Sequence, residues 1–257
     1  MSRTFLAILH FDGGEFVGWQ RQKTGRTVQG TVEAAMERLT GAHRTVHGAG
    51  RTDAGVHAEG MGISFEVPER WSSEELHRAL NALLPGDCWI ESVRRMRDGF
   101  HARKSAEARD YRYDVGCDAA SRSPFRHRFE WALGRTLEVD RLQAAAANLV
   151  GEHDFTAFAV RGTAQPHARC RIRRALWEPR DGLGVRFRIT ADRFLHHMVR
   201  MLVGTMVDIG LGRRDPDDMR ILLDARDNSA TSPPAPPQGL YFVAAEYAAD
   251  WYREPAS

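Results

Sequence analysis

Between residues 3 and 11 the side chains of Phe5, Ala7, Leu9 and Phe11 share one face, and this period of two predicts a first strand. The period lengthens from Thr27 to Leu39, where Val28, Val32, Ala35, Met36 and Leu39 recur at helical spacing and Gly41 closes the run. Strand-like segments follow at about 43 to 48 and 61 to 67, the latter setting Ile63, Phe65 and Val67 against Ser64 and Glu66. A second helix is predicted from Ser72 to Leu83, with Ser72 or Ser73 as cap, Glu75 in its first turn and Pro85-Gly86 beyond its end. A strand near 88 to 96 completes the order strand, helix, strand, strand, helix, strand. That is the ferredoxin-like split unit, a plan shared by many RNA-binding sheets.

The second half of the chain is patterned in a comparable way. Residues 109 to 116 alternate, with Arg109, Tyr111, Tyr113 and Val115 on one face and Asp110, Arg112 and Asp114 on the other. Next come a strand near 127 to 132, a helix from Asp140 to Leu149, and strands near 170 to 177 and 183 to 190. From Phe194 to about Gly210 the apolar residues cover a broad arc of a helical wheel, so most of that helix is expected to be buried. Its narrow polar sector holds His197, Arg200, Gly204 and Asp208. A short helix near 216 to 224 and the proline-rich connector Ser229–Gly239 lead into a last strand, Leu240 to Tyr247. The expected division is an N-terminal half, 1–104, and a C-terminal half, 105–257, building one central sheet with helices on its back.

Candidate chemistry concentrates at residues 48 to 58, Gly-Ala-Gly-Arg-Thr-Asp-Ala-Gly-Val-His-Ala. Three glycines there bracket Arg51 and Asp53, and glycine permits tight turns and close approach of other chain segments. Asp53 can be a positioned carboxylate on a loop feeding a buried strand, or the aspartate of an ordinary Asp-x-Gly turn. A dinucleotide or phosphate loop is excluded: the third glycine and the Gly-Lys-Ser/Thr element are missing, and an acid there would repel phosphate. Arg200 is the other conspicuous group. On a mostly buried helix a guanidinium needs a carboxylate partner, an internal pair with Asp208, or a solvent-facing stripe. Gly204, one turn on, weakens the helix by about 1 kcal/mol relative to alanine, which predicts that something packs closely against it.

Composition narrows the partners. Hydrophobic residues make up 42% of the 257, enough for a real core, yet no run is long and apolar enough to span a membrane. The N-terminus enters strand-like sequence without a signal-peptide pattern, so a cytoplasmic protein is expected. Cys88, Cys117 and Cys170 are odd in number and widely spaced, which predicts reduced thiols, and His196-His197 comes with no convincing metal-ligand set in the sequence, so no zinc site is read. Net charge is only +2, but of 36 basic residues just Lys23 and Lys104 are lysines. Arginine pairs with phosphate and stacks on bases, although a bias of the genome toward arginine codons gives the same count. A polyanion must therefore be met by local patches. The candidates are Trp19, Arg21 and Lys23 in a glycine-rich loop, and Arg169, Arg171 and Arg173 on one strand face. The competing readings are an anchored loop tryptophan and a solvated charged edge strand. The arginine-rich run extends from Arg161 to Arg180.

Several motifs in order resemble the TruA-type tRNA pseudouridine synthases over nearly the full length. They are Phe11-Asp12-Gly13 with Gly18-Trp19-Gln20, then Gly50 to Ala58, and Phe100-His-Ala-Arg103 leading to Tyr111-Arg-Tyr113. His153 to Phe158, Phe194-Leu195 with Met198-Val-Arg200, and Gly239-Leu240-Tyr241 complete the set. The resemblance implies the pseudouridine synthase α+β fold, two similar α/β halves forming one central mixed, mostly antiparallel sheet. It implies a homodimer that isomerises uridine to pseudouridine in the tRNA anticodon stem-loop, at positions 38 to 40, with neither cofactor nor metal. Asp53 matches the family's catalytic aspartate, and Arg51 the arginine that helps displace the target base. Tyr111 matches the tyrosine stacked on the uracil, Arg200 the arginine paired with the aspartate, and Leu240 an apolar wall residue. The chain departs from the family pattern at Met61-Gly62 and in Ser232-Pro-Pro-Ala-Pro-Pro. Two alternatives remain: an RNA-binding protein of this fold without catalysis, and a pseudouridine synthase for another RNA.

Overall fold

Side-chain caps start both helices of the N-terminal half. The Thr27 hydroxyl accepts from the Gly30 N–H ahead of α1 (Val28–Thr40), and Gly41 ends that helix in the left-handed conformation at φ 74°. Ser72 and Glu75 form a reciprocal capping box ahead of α2 (Ser73–Leu83). The computed structural model describes residues 2–160 and 167–253, so Arg161 of the arginine-rich run lies outside the described residues.

The remaining elements, in chain order, alternate strands and helices. Around the two helices run β1 (Ser2–Phe11), β2 (His47–Gly48), β3 (His57–Pro68) and β4 (Cys88–Arg95). Then follow β5 (Ala106–Gly116), β6 (Trp131–Ala132), α3 (Val139–Ala147), β7 (Gly151–Asp154), β8 (Arg169–Arg180) and β9 (Gly184–Ala191). The chain continues with α4 (Met198–Gly210), α5 (Asp218–Ala225) and β10 (Leu240–Tyr247). The ten strands belong to one mixed sheet, as expected.

The chain forms two compact units, Met1–Arg109 with Phe242–Ser257, and Asp110–Tyr241. This differs from a division at 104/105, because most of β10 returns to the first unit. There β1 pairs antiparallel with both β3 and β4. A Cβ on Gly60 would sit 2.1 Å from the Val243 carbonyl oxygen, so glycine is what lets β3 and β10 lie this close. Phe5, Leu9, Met36, Met61, Ile63 and Phe65 fill the core of this unit. From α2, the Asn81 amide donates to the Ile90 carbonyl and its oxygen accepts the Ile90 N–H, both at 2.8 Å, fastening the helix to β4.

In the second unit β8 pairs antiparallel with β7 and β9, and β5 pairs parallel with β6. Tyr113, Phe155, Phe158 and Phe187 are fully buried. Both helices that cover β8 bond Trp177: the Gln143 side chain accepts its N–H at 2.9 Å, and Met206 Sδ accepts its indole N–H at 3.3 Å.

Three predicted elements shrink. The strand at 43 to 48 is only β2, paired with Ile63 and Ser64. The strand at 127 to 132 is only β6, since the preceding residues wind into turns. The helix predicted from Phe194 begins at Met198, because His197 takes a left-handed conformation at φ 62° that no α-helix continues. No helix among the described residues is long and apolar enough to cross a membrane.

Candidate active site

The first unit carries Arg51 and Asp53 on a loop held from beneath. Trp19 is 2% exposed, its N–H donates to the Thr52 carbonyl at 3.0 Å, and its ring lies where a Cβ on Gly48 would be, 2.6 Å away. Gly18, at φ +110°, brings the chain to within 2.9 Å of the Thr52 carbonyl, measured from its Cβ position, so only glycine fits. The turn closes on itself where the Val56 N–H donates to the Asp53 carbonyl at 3.2 Å, with Gly55 at φ 78°. The motif Gly-Trp and the glycines around Asp53 thus form one packed assembly. Trp19, read as a possible RNA contact, is a core residue instead: its indole is enclosed and supports the loop.

Two further residues brace this loop. Arg109 Nε donates to the Ala49 carbonyl at 3.3 Å, Nη1 donates to Ala106 at 3.0 Å, and Nη2 donates to the Arg103 carbonyl. One guanidinium therefore ties the glycine-rich loop to the segment leading into β5. The buried His57 accepts the Gly13 N–H at its Nδ1, 3.0 Å away, and joins the end of the loop to the Phe11-Asp12-Gly13 motif. Arg51 is exposed and Asp53 half-buried.

Tyr111, Arg200 and Leu240 belong to the second unit. Tyr111 is 8% exposed, with its ring edge-on to Phe194 at 4.9 Å between centroids. Phe194 was not among the candidate site residues, although it opens a family motif, and its ring packs against that of Tyr111. Tyr113 points inward, where its hydroxyl donates to the Pro236 carbonyl at 2.7 Å. Burial pushes the Tyr113 phenol well above its ordinary value, opposed by the nearby Arg200 guanidinium. Tyr113 is thus a core aromatic.

The polar sector of α4 faces the proline-rich connector. Arg200 Nε donates to the Ala235 carbonyl at 2.8 Å, and the Ala235 N–H donates to the Arg200 carbonyl at 2.9 Å. A Cβ on Gly204 would lie 2.1 Å from the Pro233 carbonyl oxygen, which is the close packing predicted for that glycine. Asp208 is not Arg200's internal partner, for its carboxylate accepts from the Ser232 hydroxyl at 2.7 Å and from Arg213 at 2.8 Å. A connector of unusual composition is thereby held rigidly on the helix just before Leu240, itself 6% exposed.

Of the basic candidates, Arg21 lies 3.3 Å from the Glu33 carboxylate, and Lys23 is exposed. Arg169, Arg171 and Arg173 are all exposed along β8. Glu152 of β7 lies 3.5 Å from Arg169 and 3.2 Å from Arg171, and its hydrogen bond with Arg171 holds its carboxyl below the usual range. The charged edge of the sheet is β7 rather than β8, since β7 ends the strand order. Burial raises the Cys88 and Cys170 thiols to about 12, so both stay protonated.

A family model described as tRNA pseudouridine synthase matches residues 7–103 and 145–248. The tRNA pseudouridine synthase A of Agrobacterium fabrum is 39% identical over 246 residues, covering 95% of this chain and 92% of its own. The protein of that name from Geobacillus kaustophilus is 40% identical over 243 residues, covering 94% and 93%. That from Geotalea uraniireducens is 37% identical over 247 residues, covering 95% and 100%.

Proposed function

The chain belongs to the tRNA pseudouridine synthase family, and from that premise we propose that Asp53 is the catalytic carboxylate, acting on the anticodon stem-loop at positions 38 to 40. The activity is that of an isomerase converting uridine to pseudouridine in tRNA. The glycosidic C–N bond breaks, the uracil turns, and C5 bonds to the same ribose carbon; C5 gives up its proton and the freed N1 takes one, so composition is unchanged. A carboxylate can serve by attacking the ribose C1′, by adding to uracil C6, or by removing the C2′ proton. Each route needs the acid ionised, which a guanidinium favours. Arg200 is assigned that task, Arg51 the displacement of the target base, Tyr111 the stacking on the detached uracil, and Leu240 an apolar wall. Extruding the base costs about a few kcal/mol, which stacking on an aromatic ring offsets.

The observation that carries this reading is the packing of Trp19 against Gly48 and the Thr52 carbonyl, which holds the backbone around Asp53 in one conformation. An ordinary surface turn needs no such support. A homodimer working in the cytoplasm is part of the same proposal.

The test uses tRNA labelled with tritium at uridine C5. Wild-type protein should release tritium, and Asp53→Asn should release none while binding tRNA within a few-fold of wild type. Release by Asp53→Asn at the wild-type rate would dismiss Asp53. Mapping of the product outside positions 38 to 40 would dismiss the anticodon assignment.

A further inference from the structure

A short turn beside the Asp53 loop gathers cations to which the proposed chemistry gives no task. His101 to Ser105 closes on itself, the Ser105 N–H donating to the His101 carbonyl at 2.9 Å and the His101 N–H to the Ser105 hydroxyl at 3.1 Å. Ala102 pins it to two strands. Its N–H donates to the Ser64 hydroxyl of β3 at 2.9 Å, and its carbonyl accepts from the Tyr247 hydroxyl of β10 at 3.0 Å. The His101 ring is oriented as well. Its Nδ1 accepts the Arg103 N–H at 3.1 Å and the Lys104 N–H at 3.4 Å, so the proton of the neutral ring sits on Nε2. The ring stacks on that of His47, the first residue of β2, with 4.4 Å between centroids and 25° between planes.

The charge gathered here has one sign. Arg103, Lys104 and His47 are exposed, and among the described residues none of the four side chains pairs with a carboxylate. In this they differ from Arg21, which has Glu33, and from Arg169 and Arg171, which share Glu152. Burial first, then His47 and Lys104, and behind them Arg103, hold the His101 pKa below its ordinary value, and each of these charged neighbours is a cation. Cations collected on one turn repel one another, and an anion seated among them relieves the repulsion. What the turn is fastened to decides which anion. Arg109 donates both to the Arg103 carbonyl and to the Ala49 carbonyl, and His47 runs directly into Gly48 and Ala49 of the Asp53 loop. The substrate of this family is tRNA, whose phosphates are what position a nucleic acid on a protein.

We propose that His47, His101, Arg103 and Lys104 form a seat for one backbone phosphate of the bound tRNA, with His101 Nε2 as its oriented donor. The proposal rests on tRNA being the substrate, and its test is a binding measurement that needs no catalysis. With unmodified tRNA in a filter assay, joint Arg103→Gln and Lys104→Gln should raise Kd about 10- to 100-fold, the loss that goes with a charge-assisted hydrogen bond. The log–log salt slope should fall by roughly 0.9, the share of a single phosphate. His101→Asn keeps an acceptor near the place of Nδ1, and so the turn, but drops the Nε2 donor. It should raise Kd about 10-fold with Tm unchanged. A wild-type Kd for either variant would overturn the seat. So would dissociation of a wild-type dimer by the Arg103→Gln and Lys104→Gln pair in sedimentation, since the cluster would then meet a carboxylate of a second copy. Absence of tritium release by wild-type protein would defeat the proposed catalysis and leave this measurement standing.

Discussion

At the scale of single residues, the density of glycine around Asp53 is legible because glycine is the one side chain whose presence states a backbone requirement. What the glycines accommodate is not legible. Gly48 exists for the Trp19 ring, and Gly18 for the Thr52 carbonyl, contacts spanning some thirty positions of sequence. Arg109 shows the same limit: alternation places it on the face of Tyr111, yet its guanidinium binds three carbonyls, among them Ala49 in the glycine-rich loop. By this geometry it acts as a positioning residue, since it reaches the loop through the backbone. Arg109→Met keeps the length of the side chain and removes its donors. Its kcat for tRNA should fall about 10- to 100-fold, the scale on which a displacement near 1 Å acts. The Kd for tRNA should stay within a few-fold, and Arg109→Lys should recover part of kcat. A matched fall in binding and turnover would mean that the arginine supports the fold in general rather than the loop.

At the scale of elements, long periodic segments read correctly from pattern, and short ones do not. β1, α1, α2, β4, β8 and β9 each carry enough turns or alternations to declare their period. The two-residue strands β2 and β6 carry none, and β7, Gly-Glu-His-Asp, is polar throughout and escapes hydropathy. The polar stripe of α4 was visible, but not its occupant. Proline lacks an N–H and still offers a carbonyl, and the connector uses this. The helix supplies donors from Arg200 and a gap at Gly204, and residues 232 to 235 lie along it. Gly204→Ala tests this packing with two opposed effects. Helix propensity gains about 1 kcal/mol. The new methyl would meet the Pro233 carbonyl oxygen at 2.1 Å, and relieving that contact costs about 1–3 kcal/mol or displaces the connector. Thermal melts should therefore show a lower Tm, and turnover should drop as Leu240 loses its support. A raised Tm would mean that the connector is not seated on α4.

At the scale of the whole molecule, the single mixed sheet was legible from the order of elements, whereas the division into units was not. β3 and β10 meet at Gly60 and Val243, some 180 residues apart, and no local pattern encodes a pairing of that separation. Net charge is likewise a poor guide, because +2 averages over patches of opposite sign. The arginines of β8 illustrate the averaging. Arg169 and Arg171 share Glu152, which offsets part of their charge toward a polyanion. If this strand face contacts tRNA, replacing Arg169, Arg171 and Arg173 together by glutamine should weaken binding and flatten its dependence on salt. Each lost phosphate contact lowers the log–log slope by at most roughly 0.9, which sets the upper limit of the expected change. Glu152→Gln should act in the opposite sense, tightening binding and steepening the slope, because it releases both arginines. A slope unmoved by either change would place β8 outside the RNA interface and leave its arginines the ordinary task of keeping a sheet surface solvated.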